Sequence, residues 1–247
     1  MNRCKNIGLP RKKLFLSLED SKLLRVEIDN YIDGKIEEFN QNIPFAEHFK
    51  REESLHLGYY KRFLIETVLR IRLLRVVESK ALVEITKISP EAAQVWANYE
   101  MEEMIHDELF MSDLEQLGVN KKDIFKIEPY LSTKLLSGYF NYLLDHEGPL
   151  GVVIYSYLVE YVNVKLDPKK IESLRNKLTE KQLKGYNSHS KTDIFDDHPG
   201  EVWKTIRYLI KDEIDIKNIY KYIDENQSIL GMFFKEIYSE TIERRSL

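Results

Sequence analysis

Three short segments carry residues whose type and spacing suit metal chemistry. The first, "NYEMEEMIHDELF", places Glu103 and His106 at i, i+3. Side chains three apart share a helix face, and Glu-x-x-His is a pairing by which helical di-metal carboxylate proteins hold their ions. With His106 set at zero and about 100° per residue, Glu103 falls at roughly 60°, inside an apolar stripe of Val95, Tyr99, Phe110 and Leu117. Glu102 falls on the edge of that stripe and Glu100 well outside it. The pair also fits a plainer arrangement, an acidic surface cluster with one core histidine.

The second segment, "GPLGVVIYSYLVEYVN", contains a single charged residue, Glu160. A helix apolar nearly all round is a core helix, and Glu160 shares a face with Val153, Ser156, Tyr157 and Val164. A buried carboxylate needs a cation, a metal or a proton. An arginine of "VLRIRLLRVV" (Arg70, Arg72 or Arg75) could supply the cation, so a buried ion pair competes with a metal here.

The third segment, "HSKTDIFDDHPG", offers His189 and Asp193 at i, i+4 on one helical face. His198 lies half a turn off that face in a regular helix. It precedes Pro199, which biases it away from helical dihedrals, so unwinding after Asp193 would bring it back. Asp196 and Asp197 sit where the N-cap of the next helix belongs. Together the segments hold the inventory two metal ions need: carboxylates to neutralise charge and histidines to complete each ion.

The elements that must position these residues read as all-α. Gly and Pro are sparse, at 10 and 7 of 247 residues, and separate long periodic segments. Helices are expected over about 21–39, 51–77, 89–117, 132–145, 149–165, 167–185, 201–211 and 214–224, with a C-terminal helix from about Ser228. Ser89 and Asp167 precede Pro90 and Pro168 in a cap-then-proline order, and Gly118 suits a left-handed helix end. No repeat or low-complexity linker interrupts the chain, so 1–247 reads as one domain, with 1–17 as a flexible or extended tail.

Composition narrows the function classes. Apolar residues make up 43% of the chain, enough for a sizeable core. The net charge of −4 and interleaved Lys and Arg give no basic footprint for nucleic acid. No stretch is apolar enough to span a membrane, and "LFLSL" is too short for a signal-peptide core, so a cytoplasmic protein is expected. Cys4 is the sole cysteine, which excludes an internal disulfide.

The three segments resemble the heme-oxygenase-like di-iron oxidases, a family on the heme oxygenase/TenA helical bundle. In that family one core helix carries Glu and His, a second carries Glu, and a third carries His-x3-Asp-x2-His. The resemblance covers about Val95 to Trp203, in the same order. It implies a single-domain bundle of about seven core helices plus short extras. It implies metal ligands Glu103, His106, Glu160, His189, Asp193 and His198, with catalysis resting on Glu103 and Glu160. It further implies two Fe(II) per chain, O2 as co-substrate, and a small-molecule substrate of amino-acid or fatty-acid type. N-oxygenation, C–C cleavage and desaturation are the oxidations to expect, and a homodimer and an external electron donor are compatible with the family. Trp96, Tyr99 and Tyr157 are candidate pocket walls, and ordinary core aromatics otherwise. Here Asp193 and His198 are five apart rather than three. Either His198 ligates from an unwound turn, or Asp196 or Asp197 takes its place.

Three rival readings remain. A metal-free TenA-type hydrolase of a thiamine-related compound would need a buried cysteine nucleophile, and Cys4 lies in a basic N-terminal stretch. A heme oxygenase would need an axial histidine on an early helix, His48 or His56, and would leave Glu103, Glu160 and Asp193 without a role. A non-catalytic helical interaction domain would need a cation for Glu160.

Overall fold

Side-chain caps start most of the long helices. In the computed structural model, which describes residues 13–50 and 55–243, Ser17 accepts the Asp20 N–H and opens α1 (Leu18–Asn42). His56 accepts the Tyr59 N–H at the head of α2 (Leu57–Ile88). Ser89 caps α3 (Pro90–Glu103), with Pro90 in its first turn. Then come α4 (Asp107–Gln116), α5 (Lys121–Ile124), α6 (Leu131–His146), α7 (Leu150–Arg175), α8 (Lys184–Phe195), α9 (His198–Leu209) and α10 (Glu213–Thr241). Asp212 caps α10 through two backbone N–H groups. Short 3-10 turns cover His48–Lys50 and Glu180–Gln182. Among the described residues there is no strand, and no helix is long and apolar enough to cross a membrane. Most of the expected tail, including Cys4, lies outside the described residues; of its described end, Leu16 is buried against the core.

Three helices run further than the local pattern suggests. α2 passes the polar "ESK" after Val77 and continues to Ile88, and α10 passes "DENQS" without a break. In the second stretch tertiary contacts bury Asn226. α7 likewise runs through Pro168, where a new helix was expected to begin. A proline in a helix interior costs about 3 kcal/mol, so packing must hold this turn. Asp167 is buried there, bonded to Lys170 Nζ at 2.7 Å and to the Tyr186 hydroxyl at 3.0 Å. Its carboxylate is spent on those partners and starts no helix.

α7 is the axle of the bundle. Residues Leu150 to Leu158 are buried on every side, as a helix without a polar face must be. α8, α9 and α10 pack against it, α3 packs on α9, and α4 packs between α2 and α8. Two apolar clusters result. One joins α3, the first half of α7 and α9; the other joins the first half of α2, α4 and α8. The three chemistry-bearing segments lie where the chain passes from one cluster to the other.

Candidate metal centre

The helix expected to run unbroken from Pro90 to Leu117 is interrupted at Met104–His106. The first N–H groups after the break make tight i to i+3 bonds, His106 to Glu103 O at 3.2 Å and Leu109 to His106 O at 3.1 Å. α2 fixes the restart. Arg72 Nε and Arg75 Nη2 donate to the Asp107 carboxylate at 2.6 and 2.5 Å, and an acid in the first turn of α4 also suits the helix dipole. Of the three arginines considered as partners for Glu160, Arg72 and Arg75 therefore serve Asp107, and Arg70 lies over the Phe233 ring.

Around this break the six expected ligands converge from four helices and the α3–α4 turn. Glu103 Oε2 lies 2.7 Å from His106 Nδ1, and its Oε1 lies 3.3 Å from His198 Nδ1. Glu160 Oε1 accepts the Tyr99 hydroxyl at 2.9 Å, while Oε2 lies 3.6 Å from His198 Nδ1. Asp193 reaches His189 Nδ1 at 3.0 Å and His198 Nδ1 at 3.6 Å. Glu103, His106 and His189 each present one ligating atom within 4.8 Å of the others, and so do Glu103, Glu160 and His198. The two sets share Glu103, whose two oxygens face different histidines.

The donor atoms fit metal ions better than they fit one another. Glu103 Oε1, Glu160 Oε2, His189 Nδ1, both Asp193 oxygens and His198 Nδ1 are buried without a hydrogen-bond partner. Orphaned buried polar atoms are rare and costly. Six in one cluster, all of ligating type, mark a place where a cation could supply the missing interactions. In its absence protons do so. Burial alone would push Glu103 up, but the His106 hydrogen bond, the close approach of His198 Nδ1, and the charge of His106 and His189 outweigh it and hold Glu103 down at about 2. Burial, then the Glu103 charge, pushes Glu160 up to about 7. Burial would lower both histidines; Asp193 instead raises His189 to about 9, and Glu103 with Glu160 raises His198 to about 11.

The two extra residues between Asp193 and His198 are absorbed in a sharp turn. α8 ends at Phe195, and Asp197 takes a left-handed conformation at φ 51°. Asp197 then caps α9 by accepting the Gly200 N–H at 3.2 Å. A Cβ on Gly200 would sit 2.0 Å from an Asp197 oxygen, so the cap needs glycine there. His198 becomes the first residue of α9, fully buried, with Nδ1 turned inward. Its Nε2 faces outward, 2.9 Å from Glu102 Oε2, with Asp196 nearby. A carboxylate on the far nitrogen fixes the orientation of an imidazole. Glu102 is partly exposed, so Glu102→Gln is expected to weaken metal affinity about tenfold or more with little change in melting temperature, read by metal titration. An unchanged affinity would remove Glu102 from this role.

α8 is itself pinned from α4. Asp113, fully buried, accepts the Gly185 and Tyr186 N–H groups at 2.7 and 2.8 Å. Gly185 approaches so closely that a Cβ would lie 2.0 Å from the Leu109 carbonyl oxygen. Asp113→Ala is expected to destabilise the fold by about 2–3 kcal/mol, since two backbone donors lose a charged acceptor, and to weaken metal binding through α8. Chemical denaturation and metal titration check the two effects.

A cavity of about 110 Å³ opens on one side of the ligand cluster, bordered by Glu103, Glu160 and His189. Tyr99 lines it; Trp96 and Tyr157 do not. Trp96 packs against Tyr99, and Tyr157 is bonded to Asp29 and packed on Trp203, so both are core aromatics. Two lining carboxylates escaped the sequence reading, Glu78 on α2 and Glu100 on α3. Glu100, expected well outside the apolar stripe, is only 5% exposed because α2 lies over α3. Burial, then neighbouring carboxylates, pushes Glu78 up to about 8 and Glu100 up to about 9. A glutamate one turn before the Glu-x-x-His pair was the available signal for Glu100; nothing local marked Glu78. His48 and His56, nominated as heme ligands, are committed elsewhere: His48 Nε2 accepts the His56 N–H at 2.9 Å, and His56 Nδ1 caps α2.

No family model matches the chain, and no curated protein matches it in sequence. Solved structures do. A domain of unknown function with a heme oxygenase-like fold from Shewanella denitrificans OS217 superposes with TM-score 0.77 at 17% identity, covering 87% of this chain and 92% of that one. A TenA homologue from Pseudomonas syringae pv. tomato DC3000 gives TM-score 0.69 at 11% identity, covering 93% of this chain and all of the other, at 100%. A TenA homologue from Pyrococcus furiosus gives 0.62 at 13%, covering 88% and 98%. With an all-α bundle of this element order and these neighbours, the chain has the heme-oxygenase-like fold that TenA homologues share.

Proposed function

We propose that the chain is a non-heme di-iron oxidase or oxygenase that uses O2 to oxidise a small molecule of amino-acid or fatty-acid type. The observation that carries this is the cluster of six buried ligating atoms that lack hydrogen-bond partners and face one another across two sets sharing Glu103. Glu103, His106 and His189 would hold one ion, Glu103, Glu160 and His198 the other, and Asp193 stands beside both histidines. Two ferrous ions, if held there, would supply electrons for the reduction of O2.

The protein's own groups set the conditions for that chemistry. The Tyr99 hydroxyl holds one Glu160 oxygen and leaves the other free to ligate. Glu102 steadies His198 from outside. The α2–α4 ion pairs through Asp107 hold the break that turns His106 toward the cluster. Glu78 and Glu100, raised above the ordinary carboxylate range in the metal-free protein, border the cavity with Glu103, so they are placed to exchange protons with a substrate there.

Anaerobic Fe(II) titration tests the reading. Two ions per chain, followed by O2 uptake coupled to substrate loss, are expected; no more than adventitious iron would overturn it. The fold also favours a second reading, since TenA homologues share it. A metal-free hydrolase of the TenA type would cleave a thiamine-related compound in the presence of a chelator, an activity the first reading does not expect.

A further inference from the structure

Arg70 is a half-buried cation with no obvious employment. Among the described residues no carboxylate forms an ion pair with it; its guanidinium lies over the Phe233 ring at 5.4 Å. The neighbouring cations are all engaged. Arg72 and Arg75 hold Asp107, Arg62 holds Glu66, and Lys170 holds Asp167. A guanidinium that carries no protein carboxylate keeps its donors for an anion.

Its position gives the anion a context. Arg70 borders the cavity beside the metal cluster, and it also borders a second cavity of about 150 Å³. Phe63, Val159, Asn163 and Lys170 are the other residues common to both. The second cavity is largely apolar, walled by residues such as Phe39, Phe49, Leu158, Val162 and Phe234. Along α2, Arg70, Leu74 and Glu78 fall at i, i+4 and i+8, all lining the first cavity. Eight residues of helix span about 12 Å. The ligand cluster lies at the Glu78 end, where Glu78, Glu100, Glu103 and Glu160 gather, so the acidic end and the cationic end of the first cavity are well separated.

We propose that Arg70 is an anion-binding subsite that seats the carboxylate of an amphipathic substrate, with its apolar body in the second cavity and its oxidised atom several bonds away, toward Glu103 and Glu160. This rests on the oxidase reading for the identity of the reacting end, but the subsite itself does not need metal. It separates the substrate from acids whose carboxylate would sit on the metal ions.

Octanoate, butyrate and 1-octanol are the probes, titrated by calorimetry into the full chain, metal-free and Fe(II)-loaded under nitrogen. Octanoate is expected to bind both forms about tenfold or more tighter than 1-octanol. Arg70→Gln should erase that preference while leaving iron stoichiometry unchanged, and Arg70→Lys should restore part of it. Val162→Phe, which narrows the second cavity, should weaken octanoate and spare butyrate. If Arg70→Gln binds octanoate as wild type does, or if no probe binds, the subsite is wrong. If carboxylate binding appears only in the iron-loaded form and ignores Arg70, the carboxylate sits on the metals and the proposal is overturned. Arg70-dependent binding in a chain that takes up no iron would instead overturn the oxidase reading alone.

Discussion

Glu160→Gln and Glu103→Gln should leave a folded protein that no longer takes up two Fe(II) per chain. Glu103 belongs to both ligand sets, so its loss is expected to abolish binding; Glu160 belongs to one, so its loss should leave at most one ion. The glutamines keep the shape of the site and remove only charge and ligation. The nearest cation to Glu160 is His198, 3.6 Å from Oε2 and shared with Glu103 and Asp193, while Oε1 accepts from the Tyr99 hydroxyl, so the metal-free variant should lose little stability relative to the metal-free wild type. Loss of the partner in a buried ion pair would instead cost about 3–5 kcal/mol. The difference appears when metal is added. At a thousandfold excess over its dissociation constant a ligand stabilises by about 4 kcal/mol, so wild type should melt several degrees higher with Fe(II) while Glu103→Gln should not respond. Calorimetric melting with and without metal, beside metal analysis, reads both quantities. A Glu160→Gln protein that binds two ions, or that loses several kcal/mol before any metal is added, would defeat the metal-centre assignment.

Stability and metal affinity should respond to pH in opposite directions. The histidines are raised above the ordinary value of 6.5, His189 to about 9 and His198 to about 11. Their contribution to the metal-free fold is therefore complete below pH 6.5 and is lost as pH rises through those values. The raised acids act in the same sense. Glu160, Glu78 and Glu100, at about 7, 8 and 9, favour the fold fully below their ordinary 4.5 and lose that contribution as pH climbs to 7–9. Glu103, lowered to about 2, opposes only in acid, where its contribution fades below 4.5. Between pH 5 and 9 the metal-free protein should thus lose stability, by up to about 1.4 kcal/mol per pH unit for each group that titrates. Metal must displace the same protons, so between pH 6 and 8 its affinity should rise by about one order of magnitude per pH unit for each proton released. The melting difference between metal-loaded and metal-free protein should widen from pH 6 to pH 8.5. A metal-free melting temperature that rises over this interval, or a gap that stays constant, would contradict the shared-proton picture of the cluster.

Some of this was present in the chain as written. The lone acid in "GVVIYSYLVEYV" marked Glu160, because a helix apolar on every side leaves its one carboxylate nowhere else to go. Glu-x-x-His and His-x3-Asp put Glu103 with His106 and His189 with Asp193 on shared helix faces, and the family resemblance joined them into one expected ligand set. The cap at Ser89 and the left-handed Gly118 follow from local backbone chemistry, and the structure contains them. All-α architecture followed from periodicity and the scarcity of glycine and proline.

What the tertiary structure decided has a common cause: it depends on which groups meet from distant parts of the chain. The break at Met104–His106 is held by Arg72 and Arg75 reaching Asp107 from another helix, and no local pattern distinguishes those arginines from partners for Glu160. Pro168 stays inside α7 because Tyr186 and Lys170 occupy Asp167. Glu100 is buried and Glu78 half-buried because α2 packs on α3. His198 turns inward through a left-handed Asp197, a conformation the sequence permits but does not require. Local spacing determined which side chains could ligate; long-range packing decided where the helices break, and so which of those side chains face one another.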